Sequence, residues 1–322
     1  MILVTGAAGF IGMHVAERLL RSGHDVLGLD NLNDYYSVSL KRDRLAQLKQ
    51  FSGFSFLEGD IAEHEMVVEL LANRRPEFVV HLAAQAGVRY SLENPRSYLR
   101  SNVDGFLSIL EAARRTRVRH LVYASSSSVY GGNTDLPFSE GQRVDTPVSL
   151  YAATKKANEL MAHTYAHLYG IASTGCRFFT VYGPWGRPDM SPYLFADAIS
   201  KGNQLKVFNH GDMIRDFTYV DDVVSAVISL MHLPPTSDAG PPHRVVNIGN
   251  SKPVQLLEYI REFESAFGRE ADKVMLPLQP GDVLRTEADT KLLESLIGEV
   301  PGTPLKDGVR RFVDWYQTYH AR

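Results

Sequence analysis

The stretch Val4-Thr5-Gly6-Ala7-Ala8-Gly9-Phe10-Ile11-Gly12 decides how the rest of the 322-residue chain is read. A short apolar run ends in three glycines spaced three apart, and helical periodicity starts straight after them. Gly6 permits a tight turn, Gly9 lets backbone come close to a bound group, and Gly12 lets the helix pack against the strand. The amino terminus of that helix offers unpaired N–H groups and the positive end of its dipole, so the turn suits an anion. About 20 residues on, Asp30 closes the second apolar run, where a carboxylate accepts hydrogen bonds from ribose hydroxyls. Asn31 and Leu32 follow it in place of a basic residue that would hold a 2′-phosphate. The pattern therefore predicts a dinucleotide site for NAD rather than NADP. Further strand ends should complete it, with Asp60 and Ile61 at the adenine edge and Leu82, Ala83 and Ala84 where the cofactor's backbone passes.

Working outward, short apolar runs at 2–6, 25–30, 54–60, 78–84, 120–126 and 173–179 alternate with helical patterns at 10–22, 64–73, 95–116 and 151–169. Gly23 and Gly170 act as helix stops. This predicts an α/β fold, a doubly wound parallel sheet of the Rossmann type with a smaller α/β substrate-binding domain. The first domain is assigned to 1–179, with a return around 213–248, and the second to 180–212 and 249–322. Residues 217–230 read as a strand end and helix suited to the large sheet, and 245–249 as an isolated strand.

Composition removes other classes. At 44% hydrophobic, 22% charged and a net charge of −3, the chain has enough apolar material for a core and no basic surplus for nucleic acid or anionic membranes. One cysteine, Cys176, excludes an intramolecular disulfide framework and a cysteine-based zinc site. The sequence opens in a strand-like run without a leader pattern, and no apolar stretch reaches membrane-span length. A cytoplasmic protein is expected.

Tyr151 and Lys155 form Y-x-x-x-K, an i, i+4 pair on one helix face. A phenol titrating near pH 10 is a poor base at neutrality. A neighbouring ammonium and the positive nicotinamide would lower it into use as a general base. Ser126, at the end of the fifth run, would share the substrate's proton. These three are the candidate catalytic set. His163 and His167 share a helix face but lack a third ligand, so no metal site is expected. The basic run 114–119 reads as a solvated helix end, and no G-x-S-x-G elbow surrounds any serine.

With these motifs assembled, T-G-A-A-G-F-I-G at 5–12, A-S-S-S-S-V-Y-G at 124–131 and Tyr151-x-x-x-Lys155 together resemble the extended short-chain dehydrogenase/reductase superfamily, nucleotide-sugar branch, over essentially the whole chain. The resemblance implies that Asn102 lies near the nicotinamide and that Arg215, in R-D-F-T-Y-V-D-D, pairs with the substrate pyrophosphate. Dehydratases and decarboxylases of the family carry carboxylates where this chain has Ser127 and Ser128, which leaves 4-epimerisation. R-F-F-T-V-Y-G-P-W-G-R-P-D-M at 177–190 and H-L-A-A-Q-A-G-V-R at 81–89 resemble the UDP-glucuronate 4-epimerases. Thr180 stands where UDP-galactose 4-epimerases commonly have asparagine.

The resemblance further implies that Met190, Lys206 and Phe208 border the uracil and that Asp282 holds the uridine ribose. Gln279 replaces a family arginine, which makes Arg285 a candidate phosphate ligand. Ser127, Ser128 and Thr180 could hold a substrate carboxylate by hydroxyl hydrogen bonds, with Arg89 or Arg187 balancing its charge. Two rivals stay open: a 4-epimerase for UDP-glucose or N-acetylhexosamine, and a catalytically silent NAD-binding protein. Family members dimerise through helices matching 95–116 and 151–169, so a homodimer is expected.

Overall fold

The computed structural model describes residues 1–279, 283–299 and 302–321. Its strands are β1 (Ile2–Thr5), β2 (Val26–Asp30), β3 (Phe54–Glu58), β4 (Phe78–His81), β5 (His120–Ser126), β6 (Ser173–Phe178), β7 (Thr180–Tyr182), β8 (Gln204–Val207), β9 (Ile214–Tyr219), β10 (His243–Ile248), β11 (Pro253–Gln255) and β12 (Asp272–Met275). The helices are α1 (Phe10–Arg21), α2 (Val38–Leu48), α3 (His64–Arg74), α4 (Tyr90–Glu93), α5 (Pro95–Tyr98), α6 (Gly105–Thr116), α7 (Leu150–Tyr169), α8 (Ser191–Lys201), α9 (Val220–Met231), α10 (Leu256–Phe267), α11 (Lys291–Ile297) and α12 (Leu305–His320).

Seven parallel strands form the large sheet in the order β10-β6-β5-β4-β1-β2-β3. Its central strands are apolar on both faces. In β1, Ile2 and Val4 join one core layer and Leu3 the other; in β5, Val122 joins the first and Leu121 and Tyr123 the second. That double burial is why these runs carry no polar alternation. Strand order reverses between β1 and β4, so their carboxyl ends part and open a crevice there.

The structure corrects three expectations. The strand near 245–249 is not isolated: β10 pairs with β6 and forms an outer edge of the large sheet. The strand end near 217 does not join that sheet. It belongs to β9, which pairs with β7 and β11, while α9 behind it packs on α1, β5 and β6. The single helix over 95–116 is broken into α5, a π-helical turn at Leu99–Asp104, and α6. Helix α2 was not foreseen. Its sequence is mostly charged and polar, and only Ser37, whose hydroxyl accepts from the Leu40 N–H at 3.4 Å, marks its start.

Candidate active site

A cavity of about 1160 Å³ runs from the carboxyl ends of β1, β2 and β4 to the segments around Lys206 and Arg215. Gly6, Gly9, Phe10, Ile11, Gly12, Asp30, Asn31, Ile61, Leu82, Ala83 and Ala84 all line it. Gly6 has φ +71°, and a Cβ there would sit 2.7 Å from the Ala83 nitrogen, so the turn and the end of β4 meet backbone to backbone. A Cβ on Gly12 would fall 2.0 Å from the Gly6 carbonyl oxygen. Gly12 is thus required by the turn's own carbonyl more than by the sheet. Helix α1 starts at Gly9 with no side-chain cap, leaving its first N–H groups toward the cavity. Asp30 accepts from the N–H groups of Ala8 (3.1 Å) and Leu32 (2.9 Å), which fixes its carboxylate against the turn. This cradle, uncapped helix end and carboxylate fit a dinucleotide's pyrophosphate and ribose.

Two predicted cofactor residues lie off the cavity. Asp60 turns aside to accept from the Ala62 N–H (2.9 Å) and to pair with Arg100 (3.2 Å). Asn102 is buried in the π-helical turn, where its side-chain oxygen accepts from the Gln85 N–H (2.8 Å) and its amide donates to the Gln85 carbonyl and Thr154 hydroxyl (3.1 Å each). Its amide is fully engaged, so it positions the 85–88 segment rather than touching a ligand.

Ser126, Tyr151 and Lys155 converge on the cavity. Ser149 caps α7 by accepting from the Ala152 N–H at 3.1 Å, which sets Tyr151 in the first turn and Lys155 one turn later. Burial raises the Tyr151 phenol above its ordinary value, opposed by a hydrogen bond with Ser126 and by the charge of Arg187. The Lys155 ammonium donates to the Ala124 carbonyl at 2.9 Å, and burial brings its pKa down to about 8. Ser126 and Arg187 are thus groups that draw the phenol down against its burial.

Behind the trio runs a buried polar network. Glu159, one helical turn past Lys155, accepts from Ser125 (2.7 Å) and takes both arms of Arg177 (2.8 Å each). Their side chains are only 3% and 2% exposed. Arg177 donates onward to the Tyr130 hydroxyl (3.1 Å), which donates to Asn247 (2.7 Å). The network ties α7, β5, β6 and β10 to the short helical turn Ser127–Tyr130 that carries Ser127 and Ser128.

Ser127, Ser128, Thr180, Arg89, Arg187, Met190, Lys206, Phe208 and Arg215 all line the cavity. The Arg187 guanidinium pairs with Asp189 (Nε to Oδ1, 3.0 Å), which also accepts from the Tyr35 hydroxyl (2.9 Å), so its charge is already matched. Arg89 lies 5.3 Å from the centre of the Phe208 ring. Arg215 donates to the Ile214 and Leu284 carbonyls at 3.0 Å, joining β9 to the 284–286 segment. Arg285 does not line the cavity: it bridges Ile214 through its backbone and pairs outward with Glu287 (2.7 Å). Asp282 lies outside the described residues.

Sequence reasoning missed Asn33, Tyr35, Tyr36 and Lys41, which also line the cavity. Lys41 donates to the Asn33 carbonyl (2.6 Å) and side-chain oxygen (2.8 Å), beside Asp30. A basic residue thus stands at the ribose end after all, supplied by α2 rather than by the loop after Asp30. Its signal was the basic positions of 41–44, unread because α2 itself was unread. Among the described residues no group of His, Cys, Asp and Glu side chains could hold a metal ion, and no helix is long and apolar enough to cross a membrane.

The cavity and sheet define a dinucleotide-dependent enzyme of the doubly wound class. Residues 2–249 match the model of the NAD dependent epimerase/dehydratase family, and the chain belongs to that family. It is 51% identical over 333 residues to Protein CapI of Staphylococcus aureus, covering 100% of this chain and 99% of that protein. It is 47% identical to a probable UDP-glucuronate 4-epimerase of Rhizobium meliloti, covering 99% and 98%. Among solved structures, UDP-glucuronic acid 4-epimerase from Bacillus cereus in complex with UDP-glucuronic acid and NAD superposes with a TM-score of 0.91 at 32% identity, covering 99% of both chains.

Proposed function

We propose that this chain is an NAD-dependent 4-epimerase interconverting UDP-glucuronate and UDP-galacturonate through a transient 4-keto sugar, without decarboxylation. One observation carries the reading: a single cavity holds Ser126, Tyr151 and Lys155 together with the hydroxyls of Ser127, Ser128 and Thr180. NAD, which the Gly6–Gly12 turn and Asp30 would hold, would supply a reversible hydride acceptor for C4 of the sugar. Tyr151 takes the C4 hydroxyl proton and later gives it back, Ser126 hydrogen-bonds the same oxygen, and Lys155 provides positive charge beside them. Oxidation at C4 makes the sugar a β-keto acid, which loses CO2 when the bond to the carboxylate stands perpendicular to the carbonyl plane. Ser127, Ser128 and Thr180 hold the carboxylate out of that alignment by charge-assisted hydrogen bonds.

Residues 1–179 with 220–248, where α9 and β10 pack on the large sheet, hold the dinucleotide, and 180–219 with the described segments beyond 249 close over the nucleotide sugar; the return to the first domain thus begins at α9 rather than at 213. Arg215 takes the substrate pyrophosphate, and Met190, Lys206 and Phe208 border the uracil. Leu99 and Leu107 on one helical stretch, and Leu160 and Leu168 on α7, are 40 to 59% exposed at i, i+8 spacing, a pattern that supports a homodimer through these helices. A buried free cysteine and the lack of a spanning helix among the described residues support a cytoplasmic setting.

The test is incubation of purified protein with UDP-glucuronate and, separately, UDP-glucose, reading UDP-galacturonate, UDP-galactose and UDP-pentose together. The expected result is UDP-galacturonate with little pentose, abolished by Tyr151→Phe. Faster turnover of UDP-glucose would overturn the assignment.

A further inference from the structure

Arg44, on α2, is 0% exposed, yet no carboxylate matches it. Its guanidinium gives four hydrogen bonds, all to neutral oxygens: Nη1 to the Ala8 carbonyl (2.9 Å) and Tyr36 hydroxyl (2.7 Å), and Nη2 to the carbonyls of Trp185 (2.7 Å) and Gly186 (3.2 Å). Its Nε is buried without a partner. Among the described residues it forms no ion pair, unlike the equally buried Arg177. A guanidinium does not give up its proton, and a buried charge without a counter-charge is strongly disfavoured.

The nearby groups do not supply that counter-charge. Asp30 is the carboxylate that senses Arg44, but it is bound by two backbone N–H groups and is nearer in effect to Lys41. Lys41 has Asp34 as a second carboxylate acting on it, whereas Arg44, among the described residues, is left with only the more weakly felt Asp30. His14 beside them adds nothing negative; burial holds its imidazole below the usual range, and its Nε2 engages the Pro184 carbonyl at 2.9 Å.

Position completes the argument. The Ala8 carbonyl that Arg44 grips belongs to the Gly-rich turn, whose other side lines the cavity through Gly6 and Gly9. We infer that Arg44 is the internal counter-charge of the dinucleotide's pyrophosphate, acting through the Gly-rich turn from behind. The N–H groups of Gly6, Ala7, Ala8 and Gly9 are taken up by Leu29, Asp30 and the Gly6 carbonyl, so the anion in front is left the uncapped first N–H groups of α1, while the cation holds the turn by a carbonyl from behind. In a low-dielectric interior its field reaches across one peptide layer with little screening. The same guanidinium holds residues 185–186, which lead into Arg187 and Asp189 on the facing wall, so cofactor and substrate-side segment share one anchor. Arg44 is a positioning residue and touches no reacting atom.

The role rests on the NAD reading, and the experiment separates the two. Dissociation constants for ADP-ribose and for adenosine are measured by calorimetry on the full nucleotide-stripped chain as wild type, Arg44→Gln and Arg44→Lys. Arg44→Gln should weaken ADP-ribose at least about tenfold and adenosine by less than about twofold, as expected when only a charge pair is lost. Arg44→Lys, which keeps the charge and loses the fork, should hold ADP-ribose within about threefold of wild type. Equal losses for both ligands in Arg44→Gln, or a tenfold loss in Arg44→Lys, would overturn the counter-charge role. Should Arg44→Gln not fold, the Arg44→Lys result decides alone. Failure of the wild type to bind ADP-ribose would instead sink the NAD reading.

Discussion

The two walls of the cavity are made of different material. The cofactor wall is backbone against backbone: Gly6 touches Ala83, and the Gly6 carbonyl leaves no room for a side chain at Gly12. The sugar wall is a row of side-chain hydroxyls on a short helical turn and β7, and the turn owes its position to the Glu159–Arg177–Tyr130–Asn247 network. The first wall fails when volume is added. The second fails when a polar partner is removed.

That contrast can be broken or sharpened by substitution. The largest effect is expected on the sugar side from Glu159→Leu, which strands Arg177 without a counter-charge; a loss of about 3–5 kcal/mol should appear in urea denaturation. A loss below 1 kcal/mol would show that the pair is replaceable and the network not what holds the turn. Next comes Gly12→Ala on the cofactor wall, expected to cost about 3 kcal/mol and to purify without NAD, as overpacking of a rigid site does. Normal NAD content in that variant would mean the turn can yield.

Smaller still are Ser128→Ala and Thr180→Ala. Each removes about 2 kcal/mol of hold on a carboxylate, so labelled CO2 released from UDP-glucuronate should rise relative to epimer while folding and NAD content stay as in wild type. No rise would remove these hydroxyls from the carboxylate's control.

The last prediction concerns pH. The Lys155 pKa is about 8 in the folded chain against 10.5 as its ordinary value, so between those values the unfolded chain binds more protons and stability rises with pH. The burial cost of the ammonium is thus fully present below pH 8 and relieved above it. Lys155→Met should therefore gain on wild type below pH 8, and the gap should narrow toward pH 10. A pH-independent gap in thermal midpoint would contradict the shifted titration.

Much of the cofactor wall was legible because its demands are local: glycine spacing, apolar strands and a carboxylate at a strand end each leave a mark in a few residues. Where such marks failed, a side chain had turned elsewhere. Asp60 and Asn102 sit at the right strand end and helix, yet Arg100 and Gln85 take their polar atoms. Helix α2 escaped because six of its eleven residues are charged or polar, and nothing in the sequence marks Lys41 and Arg44 as the ones that folding carries inward. On the sugar side, the sequence ranked Arg285 as a second phosphate candidate behind Arg215 but could not show where its side chain turns. The register of Ile214 against Arg285 sends one guanidinium toward the cavity and the other to Glu287. Glu159 was equally silent, since it lies on α7 and its partner Arg177 on β6.

The central claim, transient oxidation at C4 with the hydride returned to the same carbon, is tested most directly with UDP-glucuronate carrying deuterium at C4. Mass spectrometry and NMR of the UDP-galacturonate formed in ordinary water should find the deuterium retained at C4, with little UDP-pentose. Loss of the label to solvent, or a labelled pentose as the main product, would contradict the account.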